Sequence, residues 1–256
     1  MPVYGSYMIC TSPRSGSTLL CELLAATGSC GRPRSWFHTP SPARWADVLG
    51  LTGDDPTQIP NLRKIFDAAR RQGSTGGAIF GLRLQRHSAD FLFDTLATLF
   101  PEEPSDKARF QRAFGHCLFI HLTREDKIDQ AVSLVKAEQS GLWHMASDGS
   151  EMERSAPHAY PTYDFAQIDA CVRSLRDYEA GWLDWFSREG IEPYRITYSA
   201  LSRDPKGVVA GLLRVLDVDP DAASGLEIGV KKLADGTNRQ WKARYLAEAR
   251  HLDSAR

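Results

Sequence analysis

Strand-length apolar runs alternate along this chain with segments of helical period, and that alternation restricts it to parallel βαβ units. The apolar runs lie at Tyr4 to Thr11, Ala78 to Leu84, Cys117 to Thr123 and Pro193 to Tyr198. Helical patterns fill Gly16 to Thr27, Leu62 to Arg71, Ser88 to Leu99, Asp126 to Gln139 and Pro205 to Leu216. A longer one, from Phe165 to Arg188, carries aromatics at helical spacing, reads as core, and stops at Gly190. Because parallel sheets are covered on both faces, the expected fold class is α/β, a P-loop-like parallel sheet flanked by helices. With 256 residues, 42% of them hydrophobic, the chain can bury a substantial core, and a single domain over 1-256 is expected. Two stretches, 38-60 and 142-164, break the pattern. Their length suits loops that cover a site.

The first strand runs through a Ser/Gly-rich turn straight into an apolar helix, as MICTSPRSGSTLL at 8 to 20. A strand ending at Thr11 and a helix starting near Gly16 leave the backbone N–H groups of Ser15 to Thr18 unpaired, where the helix dipole favours an anion. Gly16 permits close approach, Ser15, Ser17 and Thr18 offer hydroxyl donors, and Arg14 is a fixed cation that forks onto phosphate or sulfate oxygens. A nucleotide-hydrolysing loop would read G-x-x-x-x-G-K-[ST]. Residues 11 to 18 lack its first glycine, and Ser17 stands where its lysine would be. No strand ends in an aspartate placed to hold magnesium, which disfavours triphosphate hydrolysis. A single phosphate in the cradle is the expectation.

The 31 basic and 32 acidic residues leave a formal charge of -1, so the electrostatic signature of general nucleic-acid binding is absent. Five cysteines, odd in number and widely spaced, have neither zinc-site spacing nor a disulfide framework. They indicate a reducing compartment. The start, MPVYGSYMIC, lacks a basic n-region and its apolar run is too short for a membrane span. A cytoplasmic protein without a membrane span is expected.

TSPRSGSTLL resembles the 5'-phosphosulfate loop of sulfotransferases, which transfer a sulfuryl group from 3'-phosphoadenosine 5'-phosphosulfate (PAPS). In LFIHLTREDKIDQAVSLVKA, Arg124 and Ser133 match the family's second motif, implying that they bind the donor's 3'-phosphate. LLAATGSCGRPRSWFH, FGLRLQ and GWLDWFSREGIEPYRITYSAL extend the likeness over most of the chain. They are similar to the bacterial carbohydrate sulfotransferase family typified by trehalose 2-sulfotransferase. The resemblance implies a sulfotransferase fold, a PAPS co-substrate, no metal, a carbohydrate or glycolipid hydroxyl acceptor bound by the loops at 38-60 and 142-164, and a homodimer. DGTNRQWKARY is similar to the loop that closes over the nucleotide, which implies donor contacts from Arg239 and Trp241.

One position departs from the family. By position, Ser35 replaces the glutamate that serves the family type as general base. The base is then expected among histidines: His38, three residues on, or His87, just after FGLRLQ, since either imidazole titrates near working pH. His121, in mid-strand, reads as core. An atypical P-loop kinase or ATPase and a non-catalytic nucleotide-binding module remain the alternatives.

Overall fold

The structure is a computed structural model that describes residues 3–53, 55–74, 79–146, 150–157, 159–227, 230–231 and 236–254. Strand β1 (Ser6–Thr11) leads through helices α1 (Ser17–Ala26), α2 (Pro42–Val48) and α3 (Ile59–Gly73) to β2 (Phe80–Gln85). Helices α4 (Arg86–Leu99) and α5 (Asp106–Phe114) precede β3 (Cys117–Thr123). Helix α6 (Lys127–Ser140), strands β4 (Leu142–Ala146) and β5 (Glu151–Arg154), and α7 (Phe165–Arg188) then lead to β6 (Tyr194–Thr197). Helices α8 (Tyr198–Arg203) and α9 (Pro205–Val215), a 3-10 turn at Pro220–Ala223, β7 (Val230–Lys231) and α10 (Gly236–Ser254) follow.

The main sheet has the order β2-β1-β3-β6, all parallel. All six residues of the central β1 are buried, as a strand covered on both faces must be. Tyr7 and Ile9 pack with Leu20, Leu24 and Leu212 from α1 and α9, while Met8 and Cys10 join Leu92, Phe110 and Trp185 on the opposite face. From β1 the chain moves to β2 on one side, then crosses back to β3 on the other. The β1/β3 boundary is therefore a topological switch point, where a crevice opens beyond the strand ends.

The aromatic stripe of α7 is core. Trp182, Trp185 and Phe186 are each 3% exposed or less, and Trp185 stacks on Phe93 at 4.8 Å. Burying side chains of this size contributes roughly 2–3 kcal/mol apiece. His121 is also buried, 3.4 Å from Glu179.

Both stretches expected to be open loops contain regular structure. Within 38-60, Ser41 caps α2 by accepting from the Arg44 N–H, Pro42 occupies the first turn, and Trp45 buries against Phe37. Helix α3 starts at Ile59, also with a proline in its first turn. Within 142-164, β4 and β5 pair antiparallel, and β4 also pairs with β7 in a second sheet. Residues 54, 147–149 and 158 of these stretches, like Ala78 of the second strand, lie outside the described residues.

Candidate active site

The turn between β1 and α1 lies at the switch point. Arg14 and Gly16 both take left-handed backbone angles, with φ of 60° and 88°, on either side of Ser15. Alternating backbone angles of this kind turn successive N–H groups into an anion-binding concavity. Gly16 is the N-cap of α1, with no side-chain cap and no acidic residue in the first turn to neutralise the helix end. Only glycine fits there: a Cβ would lie 2.7 Å from the Tyr198 ring, at a φ that side chains disfavour.

The loop is held from three sides. Trp182 Nε1 donates to the Thr11 carbonyl at 2.8 Å, and Thr11 Oγ1 donates to the Leu122 carbonyl at 2.8 Å. Gln130 Nε2, from α6, donates to Ser12 Oγ at 2.9 Å and to the Pro13 carbonyl at 2.6 Å. Ser15 corrects the sequence reading. It is fully buried with its hydroxyl 2.6 Å from Thr11 Oγ1, so its side chain braces the loop and only its backbone N–H remains for an anion.

Arg14 and Arg124 converge although 110 residues separate them: Arg124 Nη1 donates to the Arg14 carbonyl at 3.2 Å. Arg14 Nε donates to Ser133 Oγ at 3.1 Å and its Nη1 to the Trp143 carbonyl at 2.5 Å. Arg124 is 5% exposed, pairs with Asp129 at 2.7 Å, and stacks on Tyr198 with its guanidinium carbon 4.5 Å from the ring centroid. Burial, and next the Arg124 charge, lower the Arg14 pKa to about 10. Arg14 stays charged at neutral pH, but in surroundings that favour a nearby anion.

These residues line a cleft of about 1410 Å³, as do Gly16, Ser17, Thr18, His38 and His87. The structure thus joins the two histidines that the sequence offers as alternatives. Their rings stand edge-to-face, centroids 5.0 Å apart. Desolvation by the cleft walls lowers both pKa values; for His38 the charge of Arg83 adds to this, and for His87 the neighbouring His38 does. Ser88 Oγ donates to the His38 carbonyl and ties the two segments together.

Sequence reasoning missed Arg83, whose signal was a lone charge inside the apolar run of β2. Its Nε donates to Ser35 Oγ at 2.8 Å and its Nη1 to Thr18 Oγ1 at 2.9 Å, linking position 35 to the loop. Glu22 also lines the cleft, and burial raises its pKa against the opposing pull of Arg83. Glu153, on β5, lines the cleft as well, and its charge acts on both Arg14 and His38.

Arg239 and Trp241 do not join the cleft. Most of DGTNRQWKARY is helix α10, with Asp235 outside the described residues. Trp241 is 6% exposed and packs with Tyr245 against Val132, Val135, Ile168 and Val172. The physical reason is the i, i+4 spacing of Trp241 and Tyr245, which makes an apolar stripe that α6 and α7 bury. Arg239, two residues earlier, is exposed on that helix. No group of three or more His, Cys, Asp or Glu side chains among the described residues is placed to hold a metal ion.

Fold and cleft together define a class: an α/β protein whose strand-loop-helix turn sets an uncapped helix N-terminus beside two converging arginines, without the lysine of nucleotide-hydrolysing loops. Residues 6–248 match the family model described as Stf0 sulphotransferase, and the chain belongs to that family of sulfotransferases. It is 30% identical over 270 residues to a protein of Mycobacterium tuberculosis named trehalose 2-sulfotransferase, covering 96% of each chain. A protein of the same name from Mycolicibacterium smegmatis is 30% identical over 262 residues, with 95% of each covered. Among solved structures, the sulfotransferase domain of the Synechococcus PCC 7002 olefin synthase aligns with 93% of this chain and 83% of its own, at 18% identity and a TM-score of 0.48.

Proposed function

We propose that this sulfotransferase moves a sulfuryl group from PAPS to a hydroxyl of a carbohydrate or glycolipid. The observation that carries the donor assignment is the convergence of Arg14, Arg124 and Ser133, from two distant motifs, on one cleft. The name of the two relatives supports a sugar acceptor. In this reading the loop N–H groups and Arg14 take the 5'-phosphosulfate, and Arg124 with Ser133 takes the 3'-phosphate. The five cysteines, all free, fit a cytoplasmic site of action.

The acceptor oxygen attacks sulfur in line, the bond from sulfur to the bridging oxygen breaks, and that oxygen leaves as a phosphate oxyanion. Arg14, held in the cleft by Ser133 Oγ and the Trp143 carbonyl, and the α1 terminus supply the positive field that would stabilise that charge. The hydroxyl proton passes to His38, whose depressed pKa keeps it neutral and receptive at pH 7. His87, packed against it, orients the ring.

Calorimetric titration tests the donor assignment. Adenosine 3',5'-bisphosphate should bind without magnesium, and ATP should bind at least tenfold more weakly. Magnesium-dependent ATP binding with no affinity for the bisphosphate would overturn the reading in favour of a kinase or ATPase.

A further inference from the structure

The wall of the cleft nearest Ser35 carries an unusual charge. Arg32 and Arg34 both line the cleft, two residues apart on the extended segment that follows α1. Exposure along Arg32, Pro33 and Arg34 alternates as exposed, buried, exposed, so the two guanidinium groups share one face. The backbone beneath them is fixed. Gly31 has a φ of 73°, and a Cβ there would lie 2.3 Å from the carbonyl oxygens of both Gly73 and Ile79. Arg32 N–H donates to the Gly73 carbonyl at 2.7 Å, Arg34 bridges in parallel to Leu82, and Arg83 N–H donates to the Arg34 carbonyl at 3.0 Å.

Neither guanidinium has a hydrogen-bond or ion-pair partner among the described residues. The carboxylates Glu22, Glu138 and Glu153 share the cleft; Glu22 lies in the field of Arg83 and Glu153 in those of Arg14 and His38. Ser35 follows Arg34 directly and also lines the cleft.

We infer that the acceptor is an anionic sugar, whose phosphate or carboxylate is held by Arg32 and Arg34 while a hydroxyl faces the transferring sulfuryl group. This rests on the donor reading above. Two forked guanidinium groups on one strand face match the paired oxygens of either anion. Because both side chains are exposed, screening moderates the attraction, and the preference for an anionic over a neutral sugar should be about tenfold at low salt and smaller at high salt.

The test is equilibrium binding to the protein saturated with adenosine 3',5'-bisphosphate, using methyl glucoside, glucose 6-phosphate and methyl glucuronide as probes. The expected result is at least tenfold tighter binding of an anionic probe than of methyl glucoside. The phosphate and carboxylate arms show which anion is preferred. The double variant R32Q/R34Q should erase that preference while leaving bisphosphate affinity within twofold of wild type, which also shows that the fold is intact. Equal or better binding of methyl glucoside, or a preference that survives in R32Q/R34Q, overturns the inference and leaves the donor assignment standing. Failure of the bisphosphate itself to bind overturns the donor assignment and this inference with it.

Discussion

Replacing Arg14 by methionine separates a functional from a structural role through the sign of its effect on stability. At about 1.4 kcal/mol per pK unit, the fall from 12.5 to about 10 means that holding this charge costs the free protein roughly 3 kcal/mol. Arg14 makes hydrogen bonds to Ser133 Oγ and the Trp143 carbonyl, each worth about 1 kcal/mol net. Removing the charge and both bonds with a side chain of similar length should leave the ligand-free protein as stable as before, or about 1 kcal/mol more stable, a rise of about 2 °C in Tm. The nucleotide reports the opposite. Each lost charge-assisted bond to phosphate is worth about 1.5–3 kcal/mol, so Kd for adenosine 3',5'-bisphosphate should rise roughly 10- to 150-fold. Turnover should fall further, by about 10²–10³, because the leaving oxygen gains charge only in the transition state. Thermal denaturation with and without the bisphosphate, calorimetry and a sulfuryl-transfer assay give the three numbers. A Tm lowered by more than about 4 °C without ligand, or an unchanged Kd, would refute the reasoning.

Arg124→Ala and Ser133→Ala should weaken adenosine 3',5'-bisphosphate at least tenfold while barely altering adenosine 5'-monophosphate, as read by calorimetry; equal losses would assign the pair to structure. Because both imidazole pKa values are depressed, the active neutral form is lost only as pH falls below about 6.5. His38→Ala should remove that acidic limb of the kcat profile along with about two to four powers of ten in kcat, whereas a profile that keeps the limb would exclude His38 as the base. Ser35→Glu in the His38→Ala background restores a carboxylate beside Arg83, and initial rates should recover about tenfold; no recovery would mean that position 35 does not face the acceptor. Gly16→Ala forces a side chain to the Tyr198 ring at a left-handed φ, and urea denaturation should show a loss of about 1–3 kcal/mol.

The parts of the fold that were legible in the sequence are those where burial is two-sided. β3 has the expected bounds, Cys117 to Thr123, and six of its seven residues are buried, so hydropathy alone marks it. α5 left no such mark, because only Phe110 and Phe114 of its nine residues are buried and the rest read as a polar connection. β4 and β5 were hidden because they pair with each other and with β7, away from the main core. In the site, the phosphate loop was legible because its glycine and hydroxyls have a fixed spacing. Arg83, Tyr198 and Glu153 were not, since strand register and the return of later elements bring them to the cleft. Trp241 lies apart from the cleft in this structure, because its i, i+4 spacing with Tyr245 makes a stripe that packs on α6 and α7.

Tyr198 sets a length as well as filling space. One face of its ring region abuts Gly16 at the end of α1, and Arg124 stacks on the ring. A single aromatic side chain thus stands between the α1 terminus and Arg124, and the dimensions of its ring are not adjustable by rotamer. Any substitution that shortens this ring, such as Tyr198→Leu, would therefore disturb the α1 terminus and Arg124 together, because the same side chain meets both.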